Sequence, residues 1–386
     1  MNRLQKISLY NMPSAARKIV IPIKEECNIL ILTGYNGVGK SRVLGALVEL
    51  LSLARDVNYT DISDDWLMKL DFAGEFTFRG CKINAQGRSK KKAFQAQVQK
   101  LLTVDLPLKE QYEKLDKAIF ADRRAGSYSS KSSSDDVGSF CALYLNGPSD
   151  ADQMEFVKSV KVVGFINEKV IFGVGRPEDD AVFDKEEVEG DLNKTLYVMI
   201  KDFVTTEAVK AGVEEDVGKF ILEYLTSKDI KKPSAKDYQD VREFVASKMK
   251  DRKFVEDDSS IFSHHEMFVE VNKIFSLTSR KLVYVEGTLS VELKGGKLIP
   301  WPALSRGEKT LLALFLIVFL NRDGALFVLD EPDLSLHMEW QKMILPALLK
   351  LAPTCQFLVA THSPFLVMNT GSEQVVNMAK LVAEAI

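Results

Sequence analysis

Cysteine is scarce in this chain. Cys27, Cys81, Cys141 and Cys355 are scattered over 386 positions, and no two stand at the spacing of a metal or redox motif. That excludes a disulfide framework and a zinc ribbon, and the four read as reduced packing residues of a cytoplasmic protein. Excess charge is missing as well. Lys and Arg number 51 against 54 Asp and Glu, for a net charge of −3 and a pI near 6.0. No global field therefore draws the chain to nucleic acid or to an anionic membrane, and any DNA contact needs a local patch. Long apolar runs are absent too. The longest, Leu311 to Leu320, is too short to span a bilayer, and no signal peptide precedes the first expected strand, so no membrane partner is expected. Sustained heptads are lacking, which excludes a long coiled coil. His264 and His265 are adjacent, and neighbours on a helix do not face one ligand, so they make no metal pair.

What is present is a globular composition, 46% hydrophobic and 27% charged, in a chain long enough for two or more folding units. Its organising stretch is Gly34-Tyr35-Asn36-Gly37-Val38-Gly39-Lys40-Ser41, which fits the phosphate-binding loop G-x-x-x-x-G-K-[ST]. Asn28 to Thr33 is a short apolar run before it, with the length of a buried strand. Ser41 to Leu53 reads as a helix with Val43, Leu44, Leu47, Leu50 and Leu51 on one side. The glycines let backbone N–H groups curl around phosphate oxygens. Lys40 would reach the β- and γ-phosphates, Ser41 would ligate Mg²⁺, and the helix start adds free N–H groups.

In chain order, Lys6 to Tyr10 and Lys18 to Ile23 precede this loop as strands. Trp66 to Phe72 and Phe76 to Ile83 read as strands or a hairpin around Gly74-Glu75. Arg88 to Lys92 is a basic run, more simply a solvated loop than a DNA patch. Lys92 to Leu102 reads as a helix, Lys117 to Arg124 as a short strand, and Ser127 to Asp136 as a Ser-rich loop. Val160 to Phe172 has strand character and Glu186 to Asp191 is an acidic turn. Helical patterns run from Thr195 to Leu225, Asp237 to Met249 and His264 to Phe275. The expected domains are 1–185, a helical insertion at 186–260, and 261–386. Strands return at Leu282 to Glu286 and Leu289 to Leu293, with a turn at Gly295-Gly296.

Three further motifs follow. Ser305 is an expected N-cap before the Leu311 to Leu320 helix, and Glu308 completes a capping box. The same helix start, with Gly307, is an expected anion site. Ala325 to Leu329 is a buried parallel-type strand ending in Asp330-Glu331-Pro332. Two carboxylates there are costly unless metal or solvent receives them. Asp330 would hold Mg²⁺, and Glu331 would orient and deprotonate an attacking water. A helix should start near Met338. Gln356 to Ala360 is another buried strand, ending in Thr361-His362-Ser363-Pro364, where His362 would contact a γ-phosphate or its attacking water. Three apolar strands thus carry their chemistry at the C-terminal end, where open α/β sheets bind ligands.

The order GYNGVGKS, LSRGE, VLDEPDLSLH and THSP resembles the ABC-type ATPases, within them the SMC-like, RecF-like and OLD-like branch. The DEP-x-x-SLH and THSP spellings are most similar to OLD-type ATPases, several of which serve anti-phage systems, Septu-type and retron-associated ones included. The resemblance covers residues 1–50 and 280–370, with Phe-Ala-Asp-Arg-Arg at 120–124 between them. It implies an α/β head, an ABC-ATPase fold with a mixed sheet around the phosphate loop, carrying the helical insertion. It implies ATP and Mg²⁺ as cofactors, with Gly34, Asn36, Gly37, Gly39, Lys40, Ser41 and Arg42 around the nucleotide. Lys40, Glu331 and His362 would be catalytic, and Ser41 and Asp330 would hold the metal. It further implies a head-to-tail homodimer in which Ser305, Gly307 and Glu308 of one copy meet nucleotide held by the other. A glutamine loop is also implied, for which Gln95, Gln97 and Gln111 are candidates. OLD nucleases carry a further nuclease domain, whereas 24 residues follow His362. The expected effector is therefore a separate protein, a nuclease foremost. The alternative is a RecF- or SMC-like repair ATPase that binds DNA directly, with Arg88–Lys92 and Lys231–Lys232 as its modest basic candidates.

Overall fold

The structure is a computed structural model. It describes residues 3–11, 18–54, 66–84, 98–104, 106–107, 110–111, 113–114, 139–166, 169–172, 191–212, 262, 264–285, 288–368 and 375–384. Two compact units emerge. One is formed by Met1–Val182, Asn321–Leu334 and Ala352–Ile386, the other by Phe183–Leu320 and Ser335–Leu351.

In the first unit, strands β1 (Leu4–Asn11), β2 (Lys18–Pro22) and β3 (Ile29–Thr33) lead into helix α1 (Lys40–Ala54). A hairpin follows, β4 (Trp66–Phe72) and β5 (Thr77–Asn84), turning at Gly74 and Glu75, both at positive φ. With β6 (Ser139–Asn146) these build a five-stranded antiparallel sheet in the order β2-β1-β4-β5-β6. After α2 (Asp150–Ser159), capped by Ser149, come β7 (Lys161–Ile166) and β8 (Lys169–Phe172), an antiparallel pair within the stretch expected to be strand-like.

The rest of this unit comes from the far end of the chain. Strands β12 (Ala325–Asp330), β13 (Gln356–Ala360) and β14 (Val375–Asn377) join a six-stranded sheet in the order β14-β3-β13-β12-β7-β8. The pairs β14–β3, β3–β13, β13–β12 and β12–β7 are parallel. Every residue of β12 and of β13 is buried, as expected of continuous apolar strands covered on both faces.

Helix α1 touches strands of both sheets, and its environment differs from the one-sided pattern of the sequence. Besides Val43, Leu44, Leu47, Leu50 and Leu51 it buries Ala46, Val48, Glu49 and Ser52. Glu49 accepts hydrogen bonds from the indole Nε1 of Trp66 at 2.6 Å and from Lys82 Nζ at 2.9 Å, both on the antiparallel sheet. This ion pair is almost fully excluded from solvent, and such a pair persists only when its remaining hydrogen-bonding capacity is met. The indole does that here.

The second unit holds α3 (Asp191–Gly212) and α4 (Glu266–Phe275). It continues with a three-stranded antiparallel sheet of β9 (Arg280–Val285), β10 (Thr288–Leu293) and β11 (Leu298–Pro300), then α5 (Arg306–Leu320) and α6 (Met338–Leu351). Met267, Phe268, Val271, Ile274 and Phe275 of α4 are buried as their spacing demands. Phe203 of α3 packs edge-on against Phe319 of α5, with centroids 5.5 Å apart. His265 caps α4, its Nδ1 accepting from Met267 N at 3.2 Å while its Nε2 lies 3.2 Å from Glu207. His265 is thus a helix cap, and among the described residues no group of three or more His, Cys, Asp or Glu suited to a metal ion is found.

Arg88–Lys92, Lys117–Arg124, Ser127–Asp136, Lys231–Lys232, Gln95, Gln97 and the stretch 213–260 lie outside the described residues. Cys27, Cys81 and Cys355 are buried and in no disulfide. No helix among the described residues is long and apolar enough to cross a membrane.

Candidate functional site

The site of the first unit forms where β3, β13 and β12 end side by side. The loop after β3 is Gly34 to Gly39, with Gly37 at φ 79° and Gly39 at φ 101°, left-handed values that glycine adopts without steric cost. Asn36 and Gly37 are exposed and Arg42 is half-buried on the first turn of α1. The loop returns Lys40 across itself. Its ammonium donates to Gly34 O at 3.2 Å and stands 2.6 Å from His362 Nε2. That contact requires a lone pair on Nε2, which puts the ring proton of a neutral His362 on Nδ1. Burial lowers Lys40 below its ordinary value, against the opposing pull of Glu331 and Asp330.

Ser41 donates its hydroxyl to Asp330 Oδ1 at 3.0 Å. Burial pushes Asp330 above the usual carboxylate range, opposed by that hydroxyl, Lys40 and His362. A hydroxyl and a carboxylate at this separation are hard oxygen donors of the kind Mg²⁺ takes, and the direct partner of the buried carboxylate is a neutral group. The residues present therefore fit the ion.

Glu331 follows at φ 48°. Its N–H donates to Ala360 O at 2.9 Å. Its carboxylate accepts from His362 N at 3.2 Å and lies 3.5 Å from the imidazole Nε2. Burial raises its pKa, with His362 opposing and Asp333 adding in the same direction. The expected residues Lys40, Ser41, Asp330, Glu331 and His362 are thus brought together.

Two neighbours carried no expected role. Asp333 is 5% exposed and Thr361 is fully buried, and Thr361 Oγ1 donates to Asp333 Oδ1 at 2.6 Å. Asp333 directly follows Asp330-Glu331-Pro332 and Thr361 opens Thr361-His362-Ser363-Pro364, but only tertiary structure pairs them. Gln111 is buried, with its amide donating to Leu101 O at 3.2 Å and Val104 O at 2.8 Å.

In the second unit the capping box forms as its spacing demands. Glu308 Oε2 accepts from Ser305 N at 2.8 Å and Ser305 Oγ at 2.6 Å, while Glu308 N donates to Ser305 Oγ at 3.4 Å. Ser305 is exposed and Glu308 buried. Glu308 turns inward, where Arg280 Nε stands 2.6 Å from Oε1. Sequence spacing had no means to find this partner 28 positions away. Gly307 lies against the carbonyl oxygen of Ser335, which a Cβ at that position would overlap.

A glycine-rich phosphate loop, a hydroxyl–carboxylate pair and a strand-end glutamate beside a histidine together make a candidate site for nucleotide phosphates. Residues 206–369 match the family model described as "AAA domain, putative AbiEii toxin, Type IV TA system". The chain is 25% identical, over 97% of its length and 73% of the relative, to the retron Vc95 "probable ATPase" of Vibrio cholerae serotype O1 biovar El Tor. A shorter stretch is 42% identical to the retron Ec83 "probable ATPase" of Escherichia coli, over 19% of this chain and 16% of that protein. Among solved structures, the SMC head domain with an extended coiled coil from Pyrococcus furiosus, bound to the C-terminal domain of ScpA, covers 100% of this chain and 98% of its own. Its identity is 14% and its TM-score 0.45. The SMC head domain from Thermotoga maritima covers 95% and 91%, with 14% identity and a TM-score of 0.39. The chain is thus similar to probable ATPases of retrons.

Proposed function

We propose that this chain binds ATP with Mg²⁺ and hydrolyses it, and that hydrolysis opens and closes a homodimer governing a separate effector protein, a nuclease foremost, in prokaryotic anti-phage defence. The observation that carries the reading is the convergence of Lys40, Ser41, Asp330, Glu331 and His362 at the ends of three adjacent parallel strands.

In this reading the loop N–H groups and Lys40 hold the phosphates. Ser41 and Asp330 would hold Mg²⁺, which when bound supplies a Lewis acid for the phosphate oxygens. Glu331 takes a proton from the attacking water, and its raised pKa brings it nearer the working pH of a general base. His362 orients that water or the γ-phosphate. Ser305 and Gly307 of a second copy meet the same phosphate, and Glu308 acts by holding Ser305 in place. Large apolar side chains on the loops that follow β3 and β12 support a covered face: Tyr35 is 66% exposed and Leu334 73%. The retron relatives support the defence setting.

Glu331→Gln is the first test. The variant should bind Mg·ATP normally, turn over at least roughly 100-fold more slowly, and accumulate an ATP-dependent dimer in light scattering. Turnover at the wild-type rate would exclude Glu331 as base. Purification of wild type expressed with its neighbouring genes tests the effector. Recovery of the chain alone, with bound DNA and DNA-stimulated turnover, would favour the repair ATPase instead.

A further inference from the structure

The hydrolytic reading assigns roles to Asp330 and Glu331 but leaves a third carboxylate unused. Asp333 is buried three residues beyond the strand end, and burial of a carboxylate carries a cost that hydrogen bonds must offset. Its partner is Thr361, whose hydroxyl donates to it at 2.6 Å. The same oxygen accepts the Ser363 N–H at 2.9 Å, and the Thr361 N–H donates to Leu32 O at 3.1 Å. Thr361 and Ser363 flank His362. Both sides of the histidine are therefore tied to a single hydroxyl, and that hydroxyl to Asp333.

These bonds also span the two loops that must stay in register. Glu331 N reaches Ala360 O, His362 N reaches the Glu331 carboxylate, and Thr361 reaches Asp333. Main-chain pairing of β12 with β13 ends at Asp330 and Ala360. Beyond it, the Asp333–Thr361 bond is the buried side-chain link that continues the alignment. His362 itself is half-exposed, with 39% of its side chain open to solvent. Its ring meets Lys40 and Glu331 on one side and solvent on the other, so the hydrogen bonds of its flanking residues add to what holds it there.

We infer that Asp333 and Thr361 form a clasp that positions His362 against Lys40 and Glu331, making both of them positioning residues for ATP hydrolysis. The inference rests on the ATPase reading above. Asp333 and Thr361 are both buried, so the clasp acts on turnover and not on ATP affinity. A displacement of about 1 Å at such a centre costs on the order of 100-fold in rate.

Thr361→Val tests this, because it keeps the side-chain volume and removes only the hydroxyl. Thr361→Ser, which restores it, is the rescue. Thr361→Val should bind ATP within about 2-fold of wild type and lose roughly 100-fold in kcat, while Thr361→Ser keeps wild-type turnover. The four histidines give a second readout in ¹³C-labelled protein, independent of turnover. The His362 ring resonance should move or broaden in Thr361→Val and stay in place in Thr361→Ser. Unchanged turnover with an unmoved His362 resonance in Thr361→Val would overturn the clasp. Equal losses of ATP affinity, melting temperature and rate would overturn it too, marking the bond as a folding brace. If wild type itself fails to hydrolyse ATP, the ATPase reading falls, and the resonance still decides for or against the clasp.

Discussion

Glu331 occupies the left-handed backbone region, at φ 48°, and for a non-glycine residue that conformation costs about 1–2 kcal/mol. Glycine would relieve the strain but supply no carboxylate, which favours the proposed use of Glu331. Its position at the strand end was legible from Asp330-Glu331-Pro332, whereas the strain and the Asp333 partnership arise only when β12 and β13 lie side by side. Asp333 yields a prediction about pH. Burial raises its pKa in the folded chain, with Thr361 opposing. A carboxyl raised on folding contributes stability that is full below its unfolded pKa and lost as pH rises through the folded value. Asn at this position still accepts the Thr361 hydroxyl but does not ionise. Without nucleotide or metal, Asp333→Asn should melt above wild type at neutral pH, and the gap should close as pH falls into the carboxylate range. A gap that stays constant across that range would contradict the raised pKa.

At the scale of elements, helices and strands with strong apolar patterns were legible. The strands ending at Thr33, Asp330 and Ala360, and the helices starting near Lys40, Arg306 and Met338, lie where pattern and capping residues put them. What the pattern missed has one physical cause, the dependence of a polar residue's meaning on a remote partner. Glu49 lies off the apolar stripe of α1 and is nonetheless buried against Trp66 and Lys82. Glu308 reads locally as a capping residue, but its second oxygen meets Arg280. Gly307 makes a similar point. Intrinsic helix propensity favours Ala over Gly by about 1 kcal/mol, so Gly307→Ala taken alone should stabilise α5. The carbonyl of Ser335 occupies the space a Cβ needs, and backbone there yields poorly, so overpacking of about 1–3 kcal/mol should outweigh the gain. Gly307→Ala is expected to lower the urea midpoint; a raised midpoint would mean that the loop at Ser335 gives way.

For the whole molecule, the proposed switch needs a second copy to complete the nucleotide site. Ser305 is exposed at its helix start, so a large cation there should leave ATP binding to one head intact and block closure. In a Glu331→Gln background, Ser305→Arg should remain monomeric with ATP in sedimentation velocity. A normal ATP-dependent dimer would argue against contact in trans. The chain's near-neutral balance of charge also makes long-range steering weak, so assembly should depend on short-range complementarity more than on ionic strength. The buried link between α1 and the antiparallel sheet has a further use. Trp66 is one of three tryptophans, it is fully buried, and its indole N–H is held by a charged group on the helix that begins at Lys40. Any shift of that helix alters the electric field at the ring, so the colour of Trp66 fluorescence is a built-in gauge of how the phosphate loop is seated.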